Sequence, residues 1–271
     1  MKPEDAIIPA PVEVQDLWLQ GPQGRLFVRI WSPATTVMRS PLVLLHDSLG
    51  CVELWRSFPE ALCRRTGRQV IAYDRTGFGR SDPHPDRLDP GFIADEAEGA
   101  FAAVLQQLGI GPFIVFGHSV GGGMAVHCAL QPHGPCVALI TESAQAFVED
   151  RTVRGIEDAR VSFQDPAQVA RLQRYHGDKA RWVLSAWIDS WLSPAFASWS
   201  LRPVLPRLRC PALVIHGVDD EYGSPLHPQM IAALAGGATE VALMPETRHV
   251  PHRERAAEVL DRVGRFLQTL D

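Results

Sequence analysis

Five short, unbroken apolar runs, at residues 42–45, 70–73, 113–116, 137–140 and 213–215, are spaced along the chain with stretches of helical period between them. A strand with one face in water alternates polar and apolar residues, whereas a strand apolar at every position must be covered on both faces. Helices layered on both sides of a sheet give that cover, and parallel neighbours need a long crossover between them. The segments 54–65, 92–108, 121–130 and 226–234 have the helical period to serve as crossovers. A last strand near 240–244 precedes a terminal helical stretch, 252–270. Upstream, residues 12–19 and 25–31 alternate apolar and polar positions around Gly21 and Gly24, which predicts an opening hairpin. The pattern predicts an α/β fold, a mostly parallel β-sheet flanked by helices.

One stretch breaks the rhythm. Residues 145–205 show no strand pattern, look helical, and carry Trp182, Trp187, Trp191 and Trp199. This predicts a helical cap inserted into a core made of residues 1–144 and 206–271. There is no internal repeat, low-complexity tract or linker.

The run at 113–116 leads directly into Gly117-His118-Ser119-Val120-Gly121, and then into a segment that reads as a helix. A Gly-x-Ser-x-Gly match is weak alone; its place between a strand and a helix gives it meaning. The turn must be tight enough to push the serine oxygen out at the carboxyl end of the sheet. Small residues two before and two after let the strand and helix backbones approach. The helix opening at the serine aims free N–H groups at developing negative charge. The alternative is an ordinary glycine-rich turn.

A serine needs a base to become a nucleophile. Of ten histidines, His249 follows the last predicted strand, where the loop returns beside Ser119. Its competitor His252 lies at the mouth of the terminal helix and is expected to cap it or face solvent. Pro251 keeps His249 and His252 from stacking on one regular helical turn, which argues against a metal pair. The base needs a carboxylate to hold its tautomer. Asp219-Asp220-Glu221 follows Gly217 at the end of the preceding strand; Asp220 is favoured and Asp219 is second. Glu142, at the end of the strand 137–140, is a third candidate, or simply a hydrogen-bonded carboxylate at a strand end.

These motifs, together with Leu44-Leu45-His46 and Tyr73-Asp74-Arg75-Thr76-Gly77-Phe78-Gly79-Arg80-Ser81, fall in an order that resembles the α/β-hydrolase superfamily over nearly the whole chain. The Gly77-x-Gly79 piece is no dinucleotide fingerprint, since Asp82 stands where a third glycine would fall. The resemblance implies an oxyanion hole made by the backbone N–H of Val120 and one from the loop after His46, Ser48 or Leu49. It also implies His-Gly at that loop, where this chain has His46-Asp47. An aspartate aimed at the hole would repel the oxyanion. Asp47 is therefore expected to turn away and accept loop N–H groups, or to contact a cationic or hydroxylated part of the substrate.

The tryptophans of the insert, Trp187 and Trp191 above all since they are four apart, suggest an apolar pocket wall, against the plainer reading that they pack the insert onto the core. Tyr175 and His176 are further polar candidates. The expected activity is hydrolysis of a carboxylic ester or thioester of a small apolar or aromatic substrate through an acyl-enzyme, with no metal or organic cofactor. Carbon–carbon bond hydrolases, lactonases and perhydrolases use the same resemblance, and a small-molecule receptor with vestigial hydrolysis is the rival from another class.

A net charge of −5 argues against a nucleic-acid partner. No run nears the ~20 apolar residues that span a bilayer, and the opening MKPEDAIIPAPVEV lacks a leader's apolar run. Five cysteines (51, 63, 128, 136 and 210) make no Cys-x-x-Cys pair, so neither a disulfide framework nor a zinc knuckle is expected and a reducing cytoplasm fits.

Overall fold

The computed structural model describes residues 11–34 and 39–270, so most of the opening segment read above for a leader lies outside it. Eight strands, β1 Val12–Gly21, β2 Gly24–Pro33, β3 Leu42–Leu45, β4 Val70–Tyr73, β5 Phe113–His118, β6 Cys136–Glu142, β7 Ala212–Gly217 and β8 Thr239–Met244, form one sheet in the order β1-β2-β4-β3-β5-β6-β7-β8. The hairpin β1–β2 and the β2–β4 pair are antiparallel, and every other neighbour is parallel. The helices are α1 Phe58–Thr66, α2 Phe92–Glu98, α3 Ala100–Gln107, α4 Val120–Cys128, α5 Asp150–Ser162, α6 Pro166–His176, α7 Ala180–Trp191, α8 Leu226–Leu234, α9 Pro251–Glu254 and α10 Ala256–Gln268.

The apolar runs are buried on both faces because successive side chains point to opposite sides. In β3, Val43 and Leu45 join one core layer with α2, α3 and α4, while Leu42 and Leu44 join the other with α1 and α10. Residues of the inserted segment, Trp187, Trp191 and Phe196 among them, extend the first layer.

Three expected helices are each broken, and each break has a local cause. Residues 54–65 become a short 3-10 turn and then α1, because Arg56 takes φ 54° and Pro59 sits in the first turn of the new helix. Residues 92–108 split at Gly99 (φ −92°, ψ −110°), and 252–270 splits at Arg255 (φ −136°). Between β6 and β7 the chain forms α5, α6 and α7 and touches its own start through a Phe147–Ser200 bridge.

The order matters for chemistry. From β3 the chain runs to β4 on one side, and then crosses to β5 on the other. At such a switch point the loops leaving the carboxyl ends of two neighbouring strands part and leave a crevice. Here those are the loops after β3 and after β5. No helix among the described residues is long and apolar enough to cross a membrane. All five cysteines are free thiols, with Cys136 and Cys210 in contact at 3.8 Å between sulfurs.

Candidate active site

Ser119 occupies the turn between β5 and α4 with φ 57° and ψ −124°, a left-handed conformation that a non-glycine residue holds only under constraint. The constraint is visible on both sides. A side chain on Gly117 would collide with the Gly121 carbonyl, and one on Gly121 with the carbonyl of Leu45. The serine N–H donates to the Glu142 carbonyl on β6 at 2.9 Å, and its own carbonyl accepts from Gly122 N–H at 2.8 Å. The hydroxyl is thereby presented at the end of the sheet.

His249, from the loop after β8, meets it. Nε2 lies 3.0 Å from Ser119 Oγ, and Nδ1 donates to both oxygens of Asp220, at 2.8 and 2.9 Å. Asp220 is buried, and its Oδ1 also accepts from the N–H groups of Tyr222 and Gly223. Burial opposes the charge on Asp220, but the facing His249 and these N–H donors hold its pKa below the ordinary value. Burial likewise opposes a charged His249; the attraction of Asp220, aided by Asp47 and Glu221, outweighs it and raises that pKa. The other acids lie elsewhere: Asp219 is exposed and Glu221 pairs with Arg248 at the surface.

Glu142 and His252 depart from expectation together. His252 neither caps a helix with its side chain nor faces solvent: it is buried, and its Nδ1 lies 2.5 Å from Glu142 Oε2. Trp55 and Phe58 pack on its ring. Glu142 is thus held by His252 rather than His249. His118 completes a layer beneath the site, with Nε2 donating to the His249 carbonyl at 2.8 Å. One ligating atom each from His118, Glu142 and His252 lies within 4.8 Å of the others. Glu142 and His252 already bond to each other and His118 Nε2 already serves the His249 carbonyl, so the trio reads as a polar support and not as a metal cradle. Burial pushes the Glu142 carboxyl up to about 7 and the His252 and His118 rings down to about 3 and about 4.

The loop after β3 is fixed from behind. The Asp47 carbonyl accepts from Arg75 Nη2 at 2.9 Å and from His46 Nδ1 at 2.8 Å; the His46 tautomer follows from Arg75 N–H, which donates to Nε2. The Leu49 carbonyl accepts from His176 Nε2 at 3.0 Å, while His176 Nδ1 accepts the Gly79 N–H. Among the described residues none accepts the N–H of Ser48 or Leu49, and the start of α4 leaves the Val120 N–H without an intrahelical acceptor. His176, a candidate polar contact for substrate, is spent on this clamp and is buried, and Tyr175 does not line the cavity at Ser119.

Asp47 turns its carboxylate over Gly50 toward His118, with Oδ2 3.8 Å from Nδ1. The loop N–H of Gly50 binds the Asp47 carbonyl, not the carboxylate, which corrects the expectation that the Asp47 side chain accepts loop N–H groups. Asp47, Ser48, Leu49, Trp187 and Trp191 all border a cavity of about 100 Å³ at Ser119. Gln145, Thr152, Ile156 and Tyr222 border it too, and the sequence reading named none of them. Gln145 Oε1 is 3.4 Å from Ser119 Oγ, Thr152 Oγ1 donates to the Tyr222 carbonyl, and the Tyr222 ring meets His249 edge-on at 4.8 Å. Thr152 and Ile156 are four apart on α5 and Tyr222 is two past Asp220, which are the signals that could have found them.

A family model described as "alpha/beta hydrolase fold" matches residues 40–200. The serine hydrolase BPHL of Homo sapiens is 29% identical over 206 residues, covering 73% of this chain and 69% of that one. The sn-1-specific diacylglycerol lipase ABHD11 of Xenopus laevis is 38% identical over 97 residues, covering 35% of this chain. The match spans 29% of that lipase's own length. Among solved structures, a proline iminopeptidase of Mycobacterium smegmatis superposes with a TM-score of 0.70 at 23% identity, covering 94% of this chain and 98% of the other.

Proposed function

The chain belongs to the α/β-hydrolase family, and from that premise we propose a serine hydrolase that cleaves a carboxylic ester or thioester of a small apolar or aromatic substrate. The observation that carries this reading is the unbroken line from Ser119 Oγ through His249 to a buried, charge-stabilised Asp220. Such a line has a direction: His249 Nε2 is the acceptor, because Nδ1 is committed to Asp220.

In the proposed course Ser119 Oγ attacks the carbonyl carbon as its proton passes to His249 Nε2. The resulting oxyanion takes hydrogen bonds from the N–H of Val120 and of Ser48 or Leu49. Collapse expels the alcohol or thiol, which leaves with the proton from His249. Water then gives its proton to His249, attacks the acyl-enzyme, and releases the acid as Ser119 recovers its proton. Helices α5 and α7 act as a cap over this chemistry, since Thr152, Ile156, Trp187 and Trp191 come from them.

A fluorophosphonate probe tests the reading. It should label the protein at Ser119 and should fail to label Ser119→Ala. Well-folded protein that takes no label would overturn the assignment.

A further inference from the structure

Two cavities lie on opposite faces of α7. The smaller, about 100 Å³, is the one at Ser119, and α7 contributes Trp187 and Trp191 to it. The larger, about 440 Å³, lies between α7 and the segment around Leu88; Trp182, Ala186, Ser190 and Phe196 line it. Helical period accounts for the division: residues 187 and 191 share one face, and 182, 186 and 190 fall on the other.

At the C-terminal end of α7, at Trp191, what parts the two volumes is aromatic. Trp191 borders the small cavity and Phe196 the large one, and their rings meet edge-to-face with centroids 5.2 Å apart. Trp199 stacks on Phe196 at 5.3 Å and meets Trp191 at 5.7 Å, which locks the pair in place. Both partition rings are almost fully buried.

Volume then limits what fits. An apolar cavity of ~150 Å³ accepts benzene, so the space at Ser119 holds about four carbons. In an acyl-enzyme the acyl group stays bonded to the serine while the alcohol departs, and on the proposed reading the space beside Ser119 receives that group.

We propose that the Trp191–Phe196 ring pair sets acyl length: Ser119 serves esters or thioesters of short acyl groups, and room for longer chains is sealed behind the pair. The inference rests on the ester-hydrolase reading of Ser119.

The test uses p-nitrophenyl esters of graded acyl length. For the wild type, kcat/KM should fall at least about tenfold from butyrate to octanoate, the scale on which apolar pockets discriminate by methylenes. Trp191→Leu should raise the octanoate-to-butyrate ratio by about tenfold or more. Adding Ser190→Trp, which fills the larger cavity from its far side, should return the ratio to the wild-type value. Phe196→Leu opens the same partition from the other side and stands in if Trp191→Leu melts early.

A flat wild-type profile would overturn the inference. So would an unchanged ratio in a folded partition variant, or a gain that survives Ser190→Trp. Failure of the underlying reading looks different: no ester of any length is turned over and Ser119 takes no fluorophosphonate label.

Discussion

Ser119 holds φ 57° because the glycines around it let two backbones close on the turn, and that strain is separable from its chemistry. Ser119→Ala and Ser119→Gly both remove the hydroxyl, but only glycine relieves the left-handed backbone. Strain of about 1–3 kcal/mol exceeds the roughly 0.4–1 kcal/mol of chain entropy that glycine restores to the unfolded state. Ser119→Gly should therefore melt above Ser119→Ala, with neither turning over ester; thermal melts of the two decide it. The carboxylates rank by geometry in the same way. His249→Ala should cost several orders of magnitude in kcat, and Asp220→Asn about 10³–10⁴ by losing the tautomer lock. Exposed Asp219→Asn should change little. The pH profile reads the same pair. The base works when His249 is neutral, and Asp220 raises its pKa against the pull of burial, so the acid limb of kcat/KM should have its midpoint above the ordinary 6.5. Asp220→Asn should bring that midpoint down, and Asp47→Asn should do so by less. A midpoint that stays put in Asp220→Asn would show that the limb reports another group.

At the scale of elements, the elbow between β5 and α4 depends on how closely it passes β3. A methyl on Gly121 would run into the Leu45 and His46 carbonyls, which are backbone and cannot turn aside, whereas one on Gly67, where the backbone is left-handed (φ 63°), meets nothing. Gly121→Ala should lower the urea midpoint by the upper end of the ~1–3 kcal/mol overpacking range or beyond, and Gly67→Ala by only the ~1–2 kcal/mol of its backbone. Equal losses would mean that the close approach carries no weight. The same contrast explains what the sequence could and could not disclose. Strands covered on both faces leave unbroken apolar runs, so β3 to β7 were legible, and their alternation with helical segments implied a parallel sheet. Helix breaks at Gly99 and Arg255 were not legible, because apolar period continues through them and only the packing of each half differs. The serine, histidine and acid could be named from their positions at strand ends. His252 was misread because its partner Glu142 lies 110 positions away, at the end of a strand that sheet order alone brings near. Gln145, Thr152 and Tyr222 went unnoticed for the same reason: they are ordinary residue types whose role depends on which loops converge.

For the whole molecule, the unusual feature is how many titratable groups are buried without charge. His46, His118, His227 and His252 are all driven below the ordinary histidine range, first by burial: His118 and His227 to about 4, and His252 to about 3. Glu142 and Asp74 are driven the other way by the same burial, to about 7 and about 6. Between about pH 6 and 4.5 the two sets oppose one another. His127, His176 and His216 are depressed by burial as well, and Asp95 and Glu96 are raised, so the unfolded chain holds histidine protons that the fold excludes while the fold holds carboxyl protons that the unfolded chain releases. The depressed histidines outnumber the raised carboxyls, so the unfolded state binds more protons and stability falls as pH falls. Each net proton contributes about 1.4 kcal/mol per pH unit to that slope. His249, with its raised pKa, is protonated in both states over this range and drops out of the balance. Urea unfolding at a series of pH values should show this loss. His227→Gln, far in sequence from the serine and paired with Glu149, should flatten the slope by about one proton. A wild-type slope near zero over that range would mean that these rings take up protons while the sheet and its covering helices stay folded, through local opening around them.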